Sequence, residues 1–132
     1  MPLNQDLVGK TYPATTFEVT AERVAAFALA VGDDRSFVSP TFATTPEIAA
    51  LAQVIGDPDL GLDFARVVHG EQEFGWRRPL AVGDTLSVTP TIASIRAKGG
   101  HAFITIETEM RDAAGELVLV SRNTMIMRGG AS

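Results

Sequence analysis

"TPEIAALAQVIG", residues 45 to 56, is the stretch on which the fold turns. Thr45 offers a helix cap, Pro46 suits the first helical position, where a missing N–H is no loss, and Glu47 favours the positive end of the helix dipole. Gly56 stops the helix after Ile55. Between these signals only Glu47 and Gln53 are polar, and they do not share a face. A helix that is apolar nearly all the way round needs protein on almost every side. A sheet curled about it is the simplest enclosure.

On the N-terminal side, "YPATTFEV" (12 to 19) sets β-branched and aromatic residues around a proline and predicts a short first strand. Thr20 then caps a helix through about Val31, with Val24, Phe27, Ala28 and Val31 forming one apolar stripe before Gly32, Asp33 and Asp34 end it. On the C-terminal side, the loop "GDPDLGLD" leads to four expected strands, about 64 to 76, 84 to 96, 101 to 112 and 116 to 128. Turn chemistry at "RRPLAVGD", "KGG" and "DAAGE" spaces them as an antiparallel meander. In "AFITIETEM" the residues Ala102, Ile104, Ile106, Thr108 and Met110 alternate with Phe103, Thr105, Glu107 and Glu109, the pattern of a strand with one wetter face. One strand, two helices and a long antiparallel run make an α+β order. The expected fold is therefore a hot-dog, a curled antiparallel sheet around the helix at 46 to 55, as one domain over residues 1–132.

Composition narrows the function classes. A chain of 132 residues can bury roughly two-thirds of its unfolded surface without disulfides. Eleven Lys and Arg against sixteen Asp and Glu give a net charge of -5, with the basic residues scattered, which disfavours nucleic acid as a partner. The absence of cysteine excludes thiol nucleophiles and thiolate metal sites, and two histidines 32 residues apart carry no metal-ligand spacing. No metal and no cofactor is expected. The start "MPLNQD" lacks a signal-peptide pattern and no run is long enough to span a bilayer, so a cytoplasmic, membrane-free protein is the expectation.

Three quoted stretches together carry a family resemblance: "LVGKTYPATTFEVTAERVAAFALAVGDD" (7 to 34), "PTF" (40 to 42) and "LDFARVVHGEQEFGWRRPLAVGDTLSVTPTI" (62 to 92). They resemble the MaoC-like dehydratases, in particular the FAS1-like N-terminal subfamily and the partner subunits of actinobacterial (3R)-hydroxyacyl-ACP dehydratases. The resemblance implies a hot-dog dimer handling acyl-CoA or acyl-ACP thioesters. Catalytic members carry GDxNPxH after the first helix. The family chemistry explains the pair, because imidazole suits removal of a C2 proton near neutral pH while the carboxylate side handles water or the departing hydroxyl.

Here the matching loop reads "GDDRSFV" (32 to 38). Gly32 and Asp33 match, Arg35 and Ser36 replace Asn and Pro, and Val38 stands where the histidine belongs. A stretch that relatives carry between this loop and "PTF", between Val38 and Pro40, is also missing.

Each candidate has a functional and a plain reading. His69 is either a replacement base, with Glu71 or Asp33 as partner, or a strand histidine that is hydrogen-bonded or exposed at a dimer edge; the plain reading is favoured. Asp33 is either the surviving member of the dyad or a turn residue, and without its histidine the turn reading leads. Arg77 and Arg78 offer guanidinium forks to the phosphates of coenzyme A or phosphopantetheine, or simply form a solvated hairpin end. Thr41 and Phe42, in "PTF", are the other candidate substrate contacts. His101 reads as turn-flanking, and Phe74 and Trp76, on one strand face, as core or interface.

The leading functional expectation is an acyl-thioester-binding subunit in fatty-acid metabolism that forms a heterodimer with a catalytic hot-dog subunit. A homodimeric enoyl-thioester hydratase using His69 or His101, and a non-enzymatic acyl-binding or scaffold dimer, are the alternatives.

Overall fold

The computed structural model describes residues 2–34 and 38–131. Arg35 and Ser36, the substitutions within the motif loop, lie outside the described residues. The first strand, β1, is Thr15–Glu18, shorter than expected, with Thr11 adding an isolated bridge to Thr91. Helix α1 is Ala21–Val31. The Thr20 hydroxyl accepts the Arg23 N–H, as its cap reading requires, and Gly32 closes the helix in the left-handed conformation at φ 75°. The apolar stripe only half holds: Val24 and Phe27 pack inward, whereas Val31 is 54% exposed.

Helix α2 is Thr44–Ile55, and here the expected cap at Thr45 gives way to a different start. The chain enters through a 3-10 turn, Pro40–Ala43, and Ala43 already has helical angles, φ -57° and ψ -20°. No extended residue is left for a side-chain cap to occupy. Thr44 instead returns its hydroxyl to the Thr41 carbonyl at 2.8 Å. Glu47, Ala50, Leu51 and Val54 are buried against the sheet. The expectation of cover on almost every side fails on the opposite face, where Ile48 is 64% exposed beside exposed Ala49 and Ala52.

Strands β2 (Val67–Trp76), β3 (Thr85–Lys98), β4 (His101–Arg111) and β5 (Leu117–Met127) follow, all antiparallel. Phe64 to Arg66, expected within β2, form a 3-10 turn with the Asp63 side chain as its cap. The sheet order is β1-β3-β4-β5-β2. Only β3, β4 and β5 form the expected meander, because β2 pairs with β5 rather than β3.

"RRPLAVGD" is thus a crossing between distant strands, and a charge cluster fixes it. Arg78 donates to both carboxylate oxygens of Asp84, at 2.9 and 3.1 Å, and to Asp112 in the β4–β5 turn at 3.3 Å. An eight-residue connection cannot close a two-residue hairpin, but its two ends can be tied by one guanidinium fork.

The core lies between α2 and the inner face of the curled sheet, in two apolar halves. Ile104 and Met125 belong to one, with Leu51 and Val54; Met110 and Leu119 belong to the other, with Phe42 and Ala50. The register places Asn123 opposite Ile106 and Ser121 opposite Thr108 between them. A polar layer therefore crosses the core. The wholly buried Glu47 accepts the Ser121 hydroxyl and the Gln72 amide, the latter at 3.1 Å. Its Oε1 has no hydrogen-bond partner among the described residues.

Candidate functional site

Strand β2 organises the candidate residues. A bulge between His69 and Glu71 absorbs Gly70, so the inner face reads Val67, His69, Gln72, Phe74 and Trp76. Glu71 and Glu73 face outward, opposite Thr124 and Arg122.

At the Trp76 end, Trp76, Arg77 and Leu80 join Val38, Ser39 and Pro40 around an apolar cleft of about 430 Å³. Val38, which the resemblance sets at the histidine's place, is in its wall. Ser39 and Pro40 also border a neighbouring open groove lined by Gly32, Asp33 and Thr41. The buried Ser39 hydroxyl donates to Asp33 Oδ2 at 2.6 Å. Asp33 is therefore held against the partition between groove and cleft, with an acceptor-only carboxylate and an adjacent hydroxyl, but no imidazole beside it among the described residues.

The other candidates are dispersed. Arg78 is engaged in the crossing, where its hydrogen bond to Asp84 raises its own pKa and holds the Asp84 carboxyl below the ordinary carboxylate range. Arg77 donates its backbone N–H to Val118 O at 2.8 Å, and its guanidinium has no ion-pair partner among the described residues. It borders the cleft as an available cation. Phe42 is fully enclosed, with its ring edge-on to Phe27 at 5.6 Å and to Phe17 at 6.1 Å. Thr41 is exposed.

His69 is seven residues along β2 from Trp76, roughly 20 Å at the rise of a strand, so the fold does not bring it to Asp33. Its Nε2 meets the Glu71 carbonyl at 3.0 Å, which makes that nitrogen the N–H donor. His101 Nδ1 accepts the Gly129 N–H at 2.9 Å and pins the chain end. Among the described residues no three His, Asp or Glu side chains gather to hold a metal ion.

The polar layer of Glu47, Gln72, Ser121 and Asn123 escaped the sequence reading. Its signal was present in the period-2 pattern: Gln72 shares parity with Phe74 and Trp76, and Ser121 and Asn123 alternate with Arg122 between core residues.

A family profile, "FAS1-like, dehydratase domain region", matches residues 6–120. The chain belongs to the FAS1-like dehydratase family. A UPF0336 protein of Streptomyces coelicolor is 39% identical over 145 aligned positions, covering 97% of each chain. Those 145 positions exceed the 132 residues present here, so the relative carries residues without counterpart in this chain.

Among solved structures, a C-terminally truncated HadBC (3R-hydroxyacyl-ACP dehydratase) complex from Mycobacterium tuberculosis matches with TM-score 0.81 and 23% identity, covering 94% of this chain and 99% of that one. The R-hydratase PhaJ1 from Pseudomonas aeruginosa matches with TM-score 0.69 and 19% identity, covering 92% of this chain and 81% of that one. At such identities the likeness establishes the hot-dog fold. No helix among the described residues is long and apolar enough to cross a membrane.

Proposed function

We propose that this family member is a single-domain, cytoplasmic acyl-thioester-binding subunit of a (3R)-hydroxyacyl-thioester dehydratase, and that a second hot-dog chain supplies its base. The observation that carries the reading is Val38, an apolar side chain at the position of the motif's histidine in the wall of the Trp76 cleft. Loss of a general base forfeits about 10²- to 10⁴-fold in rate. Asp33 and Ser39 stand beside that wall, where an acceptor and a hydroxyl suit a substrate's polar end. The apolar lining suits an acyl chain, and Arg77 at the border suits the phosphates of a coenzyme A or phosphopantetheine carrier.

The route to a partner is the free side of β2, an edge strand in the sheet order. An exposed edge invites another strand. The Streptomyces coelicolor relative has residues without counterpart in this chain, which supports a stretch missing between Val38 and Pro40 and, with it, a shortened wall of the Trp76 cleft.

The test is co-expression with a small hot-dog protein carrying an intact GDxNPxH. Co-purification with hydration of crotonyl-CoA by the pair, and none above background by this chain alone, is the expected result. Activity of the purified single chain, abolished by His69→Ala, would transfer the assignment to a stand-alone hydratase.

A further inference from the structure

Strand register gathers basic side chains on the outer face of the sheet, at the His101 end. Phe103 pairs with Arg96 on one side and Ile126 on the other, and Ile126 pairs with Val68, so these four form one row across β3, β4, β5 and β2. They alternate with the core residues Ile95, Ala102 and Met127 and therefore point away from α2. Nearer the strand ends a second row begins with Lys98 opposite His101. Arg128 and Arg66 continue it, because Arg128 donates its N–H to the Arg66 carbonyl at 3.0 Å and Gly129 donates its N–H to His101 Nδ1 at 2.9 Å.

The second row consists of donors. Arg66 Nη1 donates to the Arg128 carbonyl at 3.1 Å while Arg128 Nε donates to the Arg66 carbonyl at 3.3 Å, so two guanidinium groups are held side by side against their mutual repulsion. His101 accepts through Nδ1, which places its ring hydrogen on Nε2. Asp63 offsets Arg66 alone, at 3.1 Å. Arg96 sits over the Phe103 ring at 5.5 Å, and Arg96, Lys98 and Arg128 have no ion-pair partner among the described residues. Four of the eleven basic residues thus share one end of one face, in a chain of net charge -5.

We propose that this face adsorbs to an anionic lipid surface, with lipid phosphates along the Lys98, Arg128 and Arg66 row and with Val68, Ile126 and Phe103 against the headgroup boundary. Val68 is exposed and its two row neighbours are half-buried, and apolar side chains beside cations mark a surface that meets a protein or a membrane. The core of a protein interface is depleted in lysine, and its hydrogen bonds run in both directions. No side chain of these two rows has an acceptor to offer, and a layer of phosphates asks for none. Each unpaired cation is worth roughly fivefold in partitioning, so Arg96, Lys98 and Arg128 together supply about a hundredfold. Adsorption requires no spanning helix, and a cytoplasmic protein meets such a surface on the inner leaflet. A partner strand would take the edge of β2 and leave this face open.

The experiment is co-sedimentation of the full chain with vesicles of phosphatidylglycerol and phosphatidylcholine in equal parts, and with phosphatidylcholine alone. Binding to the anionic vesicles about a hundredfold tighter than to the neutral ones is expected. It should fall away in roughly 0.5 M salt, where the screening length is about 4 Å. Lys98→Ala combined with Arg128→Ala should cost about 25-fold. Arg111→Ala, at the far end of β4 and well beyond a screening length, should change binding by less than about twofold. Should the double variant not fold, Lys98→Ala alone, at the hairpin end, should still lose about fivefold. Equal binding to both kinds of vesicle, or indifference to Lys98→Ala, would overturn the proposal. So would displacement by inorganic phosphate at matched ionic strength, which would make the row a site for a free anion, or equally tight binding of poly-glutamate, which would assign the face to an acidic protein. The acyl-thioester reading survives each of those failures, because it concerns the Trp76 cleft and the edge of β2.

Discussion

The carboxylate of Glu47 on α2 accepts the hydroxyl of Ser121 on β5, joining the buried face of the helix to the sheet at the level where the two apolar halves of the core meet. A buried carboxylate is tolerable only while its donors are in place. Ser121→Ala removes one of its two donors among the described residues and leaves a buried acceptor under-solvated. Urea unfolding should show a loss of about 1–3 kcal/mol, the scale of leaving a buried polar group short of a partner. A loss under about 0.5 kcal/mol, the level of an ordinary surface change, would mean that the layer does not hold the helix.

The two adjacent arginines should separate cleanly. Arg78→Ala releases Asp84 and Asp112 together, and at a half-exposed site this is expected to lower stability by about 1 kcal/mol. Arg78→Lys should recover little, since an ammonium cannot fork across a carboxylate. Arg77→Ala should leave unfolding unchanged within about 0.5 kcal/mol while weakening thioester binding in the partnered protein. Equal destabilisation by the two alanine variants would show that the crossing does not depend on Arg78.

Acid sensitivity should come in part from Asp57, which follows α2. Its Oδ2 accepts Lys10 Nζ at 2.6 Å and the Tyr12 hydroxyl at 2.7 Å, and these donors hold its pKa down at about 2. Burial, and then the Asp57 hydrogen bond, push the Tyr12 phenol the other way, above its ordinary range. A carboxyl lowered by folding stabilises the native state above its unfolded pKa of about 4, and that contribution disappears as pH falls toward 2. Asp57→Asn should therefore be less stable than the unaltered chain at pH 7, by about 1 kcal/mol after solvent screening. The two should converge in urea titrations near pH 2; a difference that persists there would assign the effect to packing instead.

Gly32 heads the motif loop at φ 75°, where an added Cβ meets nothing within 4 Å. The penalty of Gly32→Ala is then purely conformational, about 1–2 kcal/mol, and Gly32→Asn should lose less because asparagine tolerates the left-handed region. Thermal unfolding of the two variants distinguishes this from a steric requirement, under which asparagine would be the worse of the two.

The sequence by itself determined the element order and the hot-dog class, and it carries the expectation that Val38 stands where the resembling motif has its histidine, because each is written locally. Helix and strand periodicity are properties of neighbouring residues, and a missing side chain is missing in any fold. The start of α2 was misread because Thr45 has a cap's chemistry, whereas the preceding backbone was already helical, a fact that no side chain announces. "RRPLAVGD" looked like a hairpin for a similar reason. Its turn residues specify a change of direction but not the strand that follows, and the sheet order put β2 beside β5.

Tertiary structure alone decided how the candidate residues were grouped. Asp33 and Ser39 meet over six residues of chain, but Glu47, Gln72 and Ser121 meet only when α2 lies across the sheet, with 74 residues separating the first from the last. His69, within one of the stretches that carry the family resemblance, was carried to the far end of β2 from Asp33. A curled sheet sets distances by strand register rather than by sequence separation, and for that reason the family of this chain could be read from its residues while the layout of its clefts could not.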